Sequence, residues 1–234
     1  VATNRGEVRP QGAAKEYGRR GGDSVVAAIR EAITRGEFAP DQRLVESDLS
    51  DRFDTSRSAV RSALLQLTEE GLVEREQNRG ARVRSVSLDE AVEICEVRMM
   101  LEGLCAAKAA ERATAEEVDE LRSIGTRMEA LVSEGNVLGY SEANQLLHRR
   151  IRELSEQATA EAVLERLRAQ SVRHQFRLAL QPGRPSVSLP EHLAIIDAIA
   201  AHDPAAAEAA MRTHLGSVIE ALREASQTVG SMRF

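Results

Sequence analysis

The stretch RLVESDLSDRFDTSRSAVRSALLQLTEEGLV, residues 43–73, decides the fold. Leu49 and Phe53 share one face of a short segment, residues 46–53, and Val60, Ala63, Leu64 and Leu67 share one face of a longer one, from about Ser56 to Glu70. Apolar residues spaced three and four apart mark amphipathic helices. Asp54-Thr55 separates the two segments, and Gly71 closes the second. Upstream, SVVAAIREAITR (residues 24–35) carries the same stripe at Val25, Ala28, Ile29, Ala32 and Ile33; Gly36 ends it, and Pro40-Asp41 marks a turn. Downstream, residues 72–77 and 81–86 alternate apolar and polar side chains around Asn78-Arg79-Gly80, the pattern of a β-hairpin. Three helices followed by a hairpin is the order of a winged helix-turn-helix.

From Ser87 onward the periodicity is helical throughout, and it predicts helices over residues 88–112, 114–133, 137–155, 160–180, 188–201 and 204–226. Thr114 with Glu117 three residues later forms a capping box. Asp203-Pro204 opens the last helix, and Gln181-Pro182-Gly183-Arg184-Pro185 is the clearest loop. Short links between helices imply an antiparallel bundle. The expected fold is therefore mainly α, a winged helix-turn-helix over residues 22–86 and an all-α bundle over residues 87–234. Residues 1–21, polar and rich in Gly and Arg, read as a disordered basic tail.

Composition agrees. Hydrophobic residues make up 42% of 234, but aromatics only 3% and Trp is absent, so the cores must be built from aliphatic side chains. No apolar run reaches the roughly 18 residues that a membrane span needs, and the first twenty residues lack an apolar signal core. Cys95 and Cys105 lie ten residues apart on one helix, roughly 15 Å, too far to pair, which fits a reducing cytoplasm. The net charge of −6 looks wrong for a nucleic-acid binder, but it is unevenly placed. Residues 1–86 hold 15 basic and 14 acidic side chains, and the rest hold 16 against 23. A near-neutral first part can grip DNA if its arginines share a face.

They do share one. With Val60 and Leu64 turned inward, Arg57, Ser58 and Arg61 lie on the exposed, N-terminal side of the helix that Ser56 begins. Free N–H groups at a helix N-terminus attract phosphate, and arginine can fork onto guanine in the major groove. Arg79, at the hairpin tip, could reach a neighbouring groove or the backbone, and Gly80 lets that tip bend.

Three of the five histidines interrupt apolar stripes: His148 beside Leu147 and Ile151, His192 beside Leu189, Ile195 and Ile196, and His214 beside Met211 and Val218. Inward polar groups need partners. Each imidazole is either hydrogen-bonded separately in the core, or the three meet on one divalent metal, with Asn144, one turn before His148, completing the set. Imidazole suits zinc first, and also nickel, copper or iron.

Residues 22–86 resemble the winged helix of the GntR family of transcription regulators. The resemblance rests on Gly36-Glu37-Phe38-x-Pro40-x-x-Arg43-Leu44-x-Glu46-x-x-Leu49, Thr55-Ser56-Arg57-x-x-Val60-Arg61-x-Ala63-Leu64-x-x-Leu67, Glu70-Gly71-Leu72-Val73 and Asn78-Arg79-Gly80-Ala81-x-Val83. It implies operator contacts from Arg43, Arg57, Arg61 and Gly80. Asp54 stands where the family usually has Gly in the turn, Asp41 where it has the Gly of Pro-Gly, and Ser62 where it has Glu. Asp tolerates a left-handed backbone, so the turn is expected to survive.

Residues 87–225 are similar to the FCD effector domain of the FadR-type branch, on Arg98-x-x-Leu101-Glu102, Asn144-x-x-x-His148, Glu191-His192-x-x-Ile195-x-x-Ala198-Ile199 and Asp203-x-x-x-Ala207-x-x-x-Met211-Arg212-x-His214-Leu215. The six-helix count is like the VanR-type subgroup. The resemblance implies a divalent metal on Asn144, His148, His192 and His214, with Asn144 in place of the commoner Asp, and a small carboxylate effector on or beside it. Arg98 faces the bundle; its partner is either Glu102, in the poorer i,i+4 order, or an effector carboxylate. His174, on a half-apolar face with Leu167 and Leu178, either lines the effector pocket or packs in the core, and His202 reads as solvated.

The expected protein is a cytoplasmic homodimeric regulator, a repressor in the commonest form of the family, that binds a pseudo-palindromic operator. The dimer follows from the resemblance and from the symmetry of such DNA binders. A regulator for which the ion itself is the signal is the alternative. A metal hydrolase is the remote one, because Glu191, the nearest candidate base, points about 100° away from His192 on the helix.

Overall fold

Ile29, Val60 and Leu67 are completely enclosed, and a small helical core assembles around them. The computed structural model describes residues 22–76 and 80–231, and the chain divides into two compact units between Ser85 and Val86. The basic tail read at residues 1–21 and the hairpin tip carrying Arg79 lie outside the described residues. In the first unit α1 (Gly22–Thr34), α2 (Glu46–Arg52) and α3 (Arg57–Glu69) accompany a sheet of β1 (Arg43–Leu44), β2 (Val73–Glu76) and β3 (Gly80–Val83). The stripe Val60, Ala63, Leu64 and Leu67 of α3 is buried as its spacing requires. Arg30 of α1 forks onto Glu70 just past α3, at 2.7 and 2.8 Å, and ties the two helices together. Strand order is β1-β3-β2, all antiparallel. Asp54 takes a φ of 46° between α2 and α3, so the left-handed turn survives the loss of glycine. Asp41 does the same at 60°.

The second unit holds α4 (Leu88–Arg112), α5 (Ala115–Ser133), α6 (Val137–Ser155), α7 (Ala158–Ala179), α8 (Arg184–Ala200) and α9 (Pro204–Ser231). α4 is its central helix, packed against α6, α7, α8 and α9. Leu121, Met128, Leu147, Ile151, Ile195, Ile199, Met211 and Leu215 form the interior. Gly125 allows α5 to meet α8: a Cβ there would stand 3.0 Å from Ile196 Cδ1. Among the described residues, no helix is long and apolar enough to cross a membrane.

Caps set the helix starts. Ser56, Ser87 and Asn136 each accept a backbone N–H three residues on, and Asp203 Oδ1 accepts from Ala206 N at 3.0 Å. Thr114 and Glu117 close the capping box at α5. Thr114→Ala is expected to cost about 0.5–2 kcal/mol, read as a lower midpoint in urea unfolding with an unchanged slope.

Two expectations need correction. Residues 184–187 belong to α8 rather than to the preceding loop, because Pro185 sits in the first turn, where its missing N–H costs nothing, and Gly183 turns the chain with a φ of 81°. His202 is not merely solvated: its Nδ1 lies 3.0 Å from the carbonyl oxygen of Ala110, and its φ is 53°.

Candidate functional site

α6 presents Tyr140, Asn144 and His148 at intervals of four residues, so one face of one helix carries all three. α8 brings His192 and α9 brings His214 to the same point. One ring nitrogen from each histidine lies within 4.8 Å of the others, and the ring centroids are 4.2 to 5.5 Å apart. All three residues are buried.

Each Nδ1 is already engaged. His148 Nδ1 donates to Glu102 Oε2 at 2.6 Å, and His214 Nδ1 donates to Glu191 Oε2 at 2.8 Å. His192 Nδ1 lies 3.0 Å from Tyr140 Oη, which lies 2.8 Å from Ser188 Oγ, and that hydroxyl donates to the Arg184 carbonyl. With each Nδ1 so engaged, Nε2 is the nitrogen each ring has left for the others, and one nitrogen of each lies within 4.8 Å of the rest. His192 Nε2 and Asn144 Oδ1 are buried without a hydrogen-bond partner. Orphaned acceptors among imidazoles whose other nitrogens are fixed by carboxylates and a hydroxyl are the arrangement that a divalent ion completes. The donor set therefore fits a zinc-class ion, held by His148, His192 and His214 with Asn144 Oδ1 beside them.

Electrostatics keep the rings ready. Burial, partly opposed by Glu102, pushes His148 down to about 4, and burial together with the neighbouring histidines holds His192 well below its ordinary value. Both rings are neutral at pH 7, as ligation requires. Burial by itself would raise the Glu102 carboxyl, but Arg98 and His148 outweigh it and hold it well below the usual range.

A pH dependence follows for metal-free protein. The unfolded chain takes a proton at His148 near 6.5, whereas the native chain resists until about 4. Stability is therefore full above pH 6.5 and falls as pH drops toward 4, by about 1.4 kcal/mol per pH unit for this one group. Thermal melts of EDTA-treated protein at pH 7 and pH 5 are expected to show the fall, with a shallower slope in His148→Gln. Equal slopes in the two proteins would contradict it.

Arg98 takes the Glu102 option: its Nε and Nη2 donate to Glu102 Oε1 at 2.9 and 2.7 Å. The unfavourable i,i+4 order is overcome because Glu102 offers its second oxygen to His148, so both charges are satisfied in the interior. Arg98 still lines a cavity of about 80 Å³, together with Asn144 and the three histidines. His174 is not brought to that cavity. Its Nε2 instead donates to the Val86 carbonyl at 2.7 Å. Sequence reasoning missed Tyr140 and Ser188, although each stands four residues before a residue it had singled out. It also missed Arg168 and Arg184 in the cavity wall and the role of Glu191 behind His214.

In the first unit, Ser56 caps α3, and Arg57, Ser58 and Arg61 are exposed along its N-terminal half. Ser56 Oγ lies 2.9 Å from Ser58 Oγ. Arg61 forks onto Glu46 at 3.0 and 2.8 Å, and this pairing holds the Glu46 carboxyl below its ordinary value. Arg43, Arg61, Arg75 and Gly80 border one surface depression. Gly80 has a φ of 90° with no atom within 4 Å of a built Cβ, so backbone conformation rather than space calls for glycine there. Arg75, exposed toward the end of β2 opposite Ala81, was not singled out in the sequence, because it shares its strand face with the buried Val73.

The family profile described as "Bacterial regulatory proteins, gntR family" matches residues 22–83, and that of the FCD domain matches residues 93–217. The HTH-type transcriptional repressor RspR of Escherichia coli K12 is 26% identical over 199 residues, 85% of this chain and 87% of that one. The HTH-type transcriptional regulator LutR of Bacillus subtilis is 28% identical, covering 81% of this chain and 95% of its own. The solved structure of E. coli McbR/YncC superposes with a TM-score of 0.72 at 20% identity, over 87% of this chain and 98% of that one. The chain thus belongs to the GntR family of bacterial transcription regulators and carries an FCD domain behind its DNA-binding unit.

Proposed function

We propose that this protein is a cytoplasmic homodimeric repressor whose operator affinity is set by a small carboxylate effector, held at a divalent-metal site in its helical unit. The reading is carried by one observation: three buried histidines converge beside an orphaned Asn144 oxygen and an orphaned His192 nitrogen, on a cavity whose charged wall residues, among the described residues, are arginines. The name of the E. coli relative, a repressor, supports the direction of control. A bound ion would supply a Lewis-acidic seat for the effector's carboxylate. The protein's own groups do the rest. Glu102, Glu191 and Tyr140 fix the ring orientations, and Arg98 holds Glu102 in place.

In the DNA-binding unit, Arg57, Ser58 and Arg61 face the major groove from the start of α3, with Ser56 capping it. Arg43, Gly80 and Arg79 contact the flanking backbone or groove. A dimer places two such helices on the halves of a pseudo-palindrome. The effector controls the operator only through its different affinities for the DNA-competent and DNA-incompetent states.

A second reading, with the ion itself as the signal, draws on the same orphaned atoms, since the ion alone satisfies them. Operator affinity measured with metal-loaded protein, with stripped protein, and with loaded protein plus carboxylates separates the two. Weakening only when an acid is added supports the effector reading. A change on stripping alone, with no acid having any effect, supports the ion. No change under any condition contradicts both.

A further inference from the structure

Among the described residues, the cavity that reaches the histidines has three guanidinium groups in its wall, Arg98, Arg168 and Arg184, and no carboxylate. Their situations differ. Arg98 is neutralised from behind by Glu102. Arg184 donates through Nη1 to Ser217 at 2.8 Å, but its Nη2, 3.7 Å from Glu191, is buried without a hydrogen bond. Arg168, on α7, buries Nη1 without any hydrogen-bond partner, and burial pulls its guanidinium down to about 10.

A buried cationic donor without a partner is costly, and native structures keep one where a ligand completes it. Charge bookkeeping points the same way. The three guanidinium groups face two carboxylates, Glu102 and Glu191, which sit behind the histidines, so these described groups carry one net positive charge. A divalent ion raises that to three. A single carboxylate leaves two unbalanced charges in a poorly solvated space, whereas a dianion leaves one, the value of the cavity before ion and ligand arrive.

We propose that the cavity takes a compact dianionic acid, with one carboxylate at the histidine end and a second anionic group, carboxylate or phosphate, paired by Arg168 with Arg184 as the further donor. The proposal rests on the carboxylate-effector reading above and specifies its ligand class. Planar guanidinium groups fork onto either anion.

The test is calorimetric titration of the zinc-loaded full chain. The probes are malonate, succinate, glutarate and 3-phosphonopropionate, set against propionate, butyrate and valerate. At least one dianion is expected to bind about 10–100-fold more tightly than the monoanion of matching length. Arg168→Gln is expected to erase that preference while leaving zinc content unchanged, and Arg168→Lys, which keeps the charge without the fork, is expected to fall between. Succinate ahead of 3-phosphonopropionate assigns the second group as carboxylate, and the reverse order assigns it as phosphate. Equal affinity for mono- and dianions, or a preference that survives in Arg168→Gln, overturns the proposal and leaves the carboxylate-effector reading standing. Zinc binding with no affinity for any of these acids overturns both.

Discussion

His192→Ala protein is expected to lose its affinity for zinc by more than about 100-fold, and with it the zinc-dependent rise in melting temperature. His192 is 1% exposed, its Nε2 has no partner, and its Nδ1 is tied to Tyr140, so no other buried ring can replace it from α8. Loss of a hydrogen-bonded partner behind a ligand typically costs about 10–100-fold in metal affinity, and loss of the ligand itself costs more. Glu191→Gln is the graded companion. It leaves His214 in place but weakens its anchor, and it is expected to fall in that 10–100-fold range. Competition titration with a chelator of known affinity measures both. Because removal of a buried ring can disturb packing, the melting temperature in EDTA is read alongside, and His192→Gln, which preserves volume, must show the same loss of zinc. Near wild-type zinc affinity in both His192 variants would place the ion elsewhere.

Arg57→Ala is expected to weaken operator binding by about 1–3 kcal/mol, roughly 5–150-fold, the value of one bidentate base contact. The side chain is exposed at the first turn of α3, so the fold has no need of it. Arg75→Ala, at an exposed position of β2 bordering the depression, is expected to weaken binding to all sequences alike and to lower the salt dependence by about one counterion, as a phosphate contact does. Fluorescence anisotropy at several salt concentrations, on an operator selected by the wild-type protein from a random duplex library, separates the two behaviours. Equal loss on specific and random DNA for Arg57→Ala would make it a backbone contact.

What the sequence disclosed follows from periodicity. Helices bury every third or fourth residue, so the stripes from Val60 to Leu67 and around His148, His192 and His214 were readable. The same spacing that marked Asn144 and His148 also placed Tyr140, and the spacing that marked His192 placed Ser188, so these two were within reach. Glu191 was set aside because a neighbour points away from His192, and that divergence is what turns it toward His214 on another helix. Arg168 carried no signal, because a charged residue on a mixed face reads as solvated until the neighbouring helices close over it, and Arg184 carried none because its segment reads as a loop and not as the first turn of α8. The two-residue strand β1 was invisible for a related reason: it exists only through its pairing with β3, which begins 36 residues later. His174 shows the converse, a half-apolar face that the sequence could assign either to a pocket or to the core, and which the Val86 carbonyl claims.

An anomalous difference map from zinc-soaked crystals, recorded on both sides of the zinc absorption edge, tests the metal centre most directly. The arrangement of Glu102, Glu191 and Tyr140 around the rings predicts one strong peak per chain, bonded to Nε2 of His148, His192 and His214 with Asn144 Oδ1 beside it. No peak there, or a peak held by Nδ1 atoms with the carboxylates displaced, would show that these histidines serve the core and not an ion.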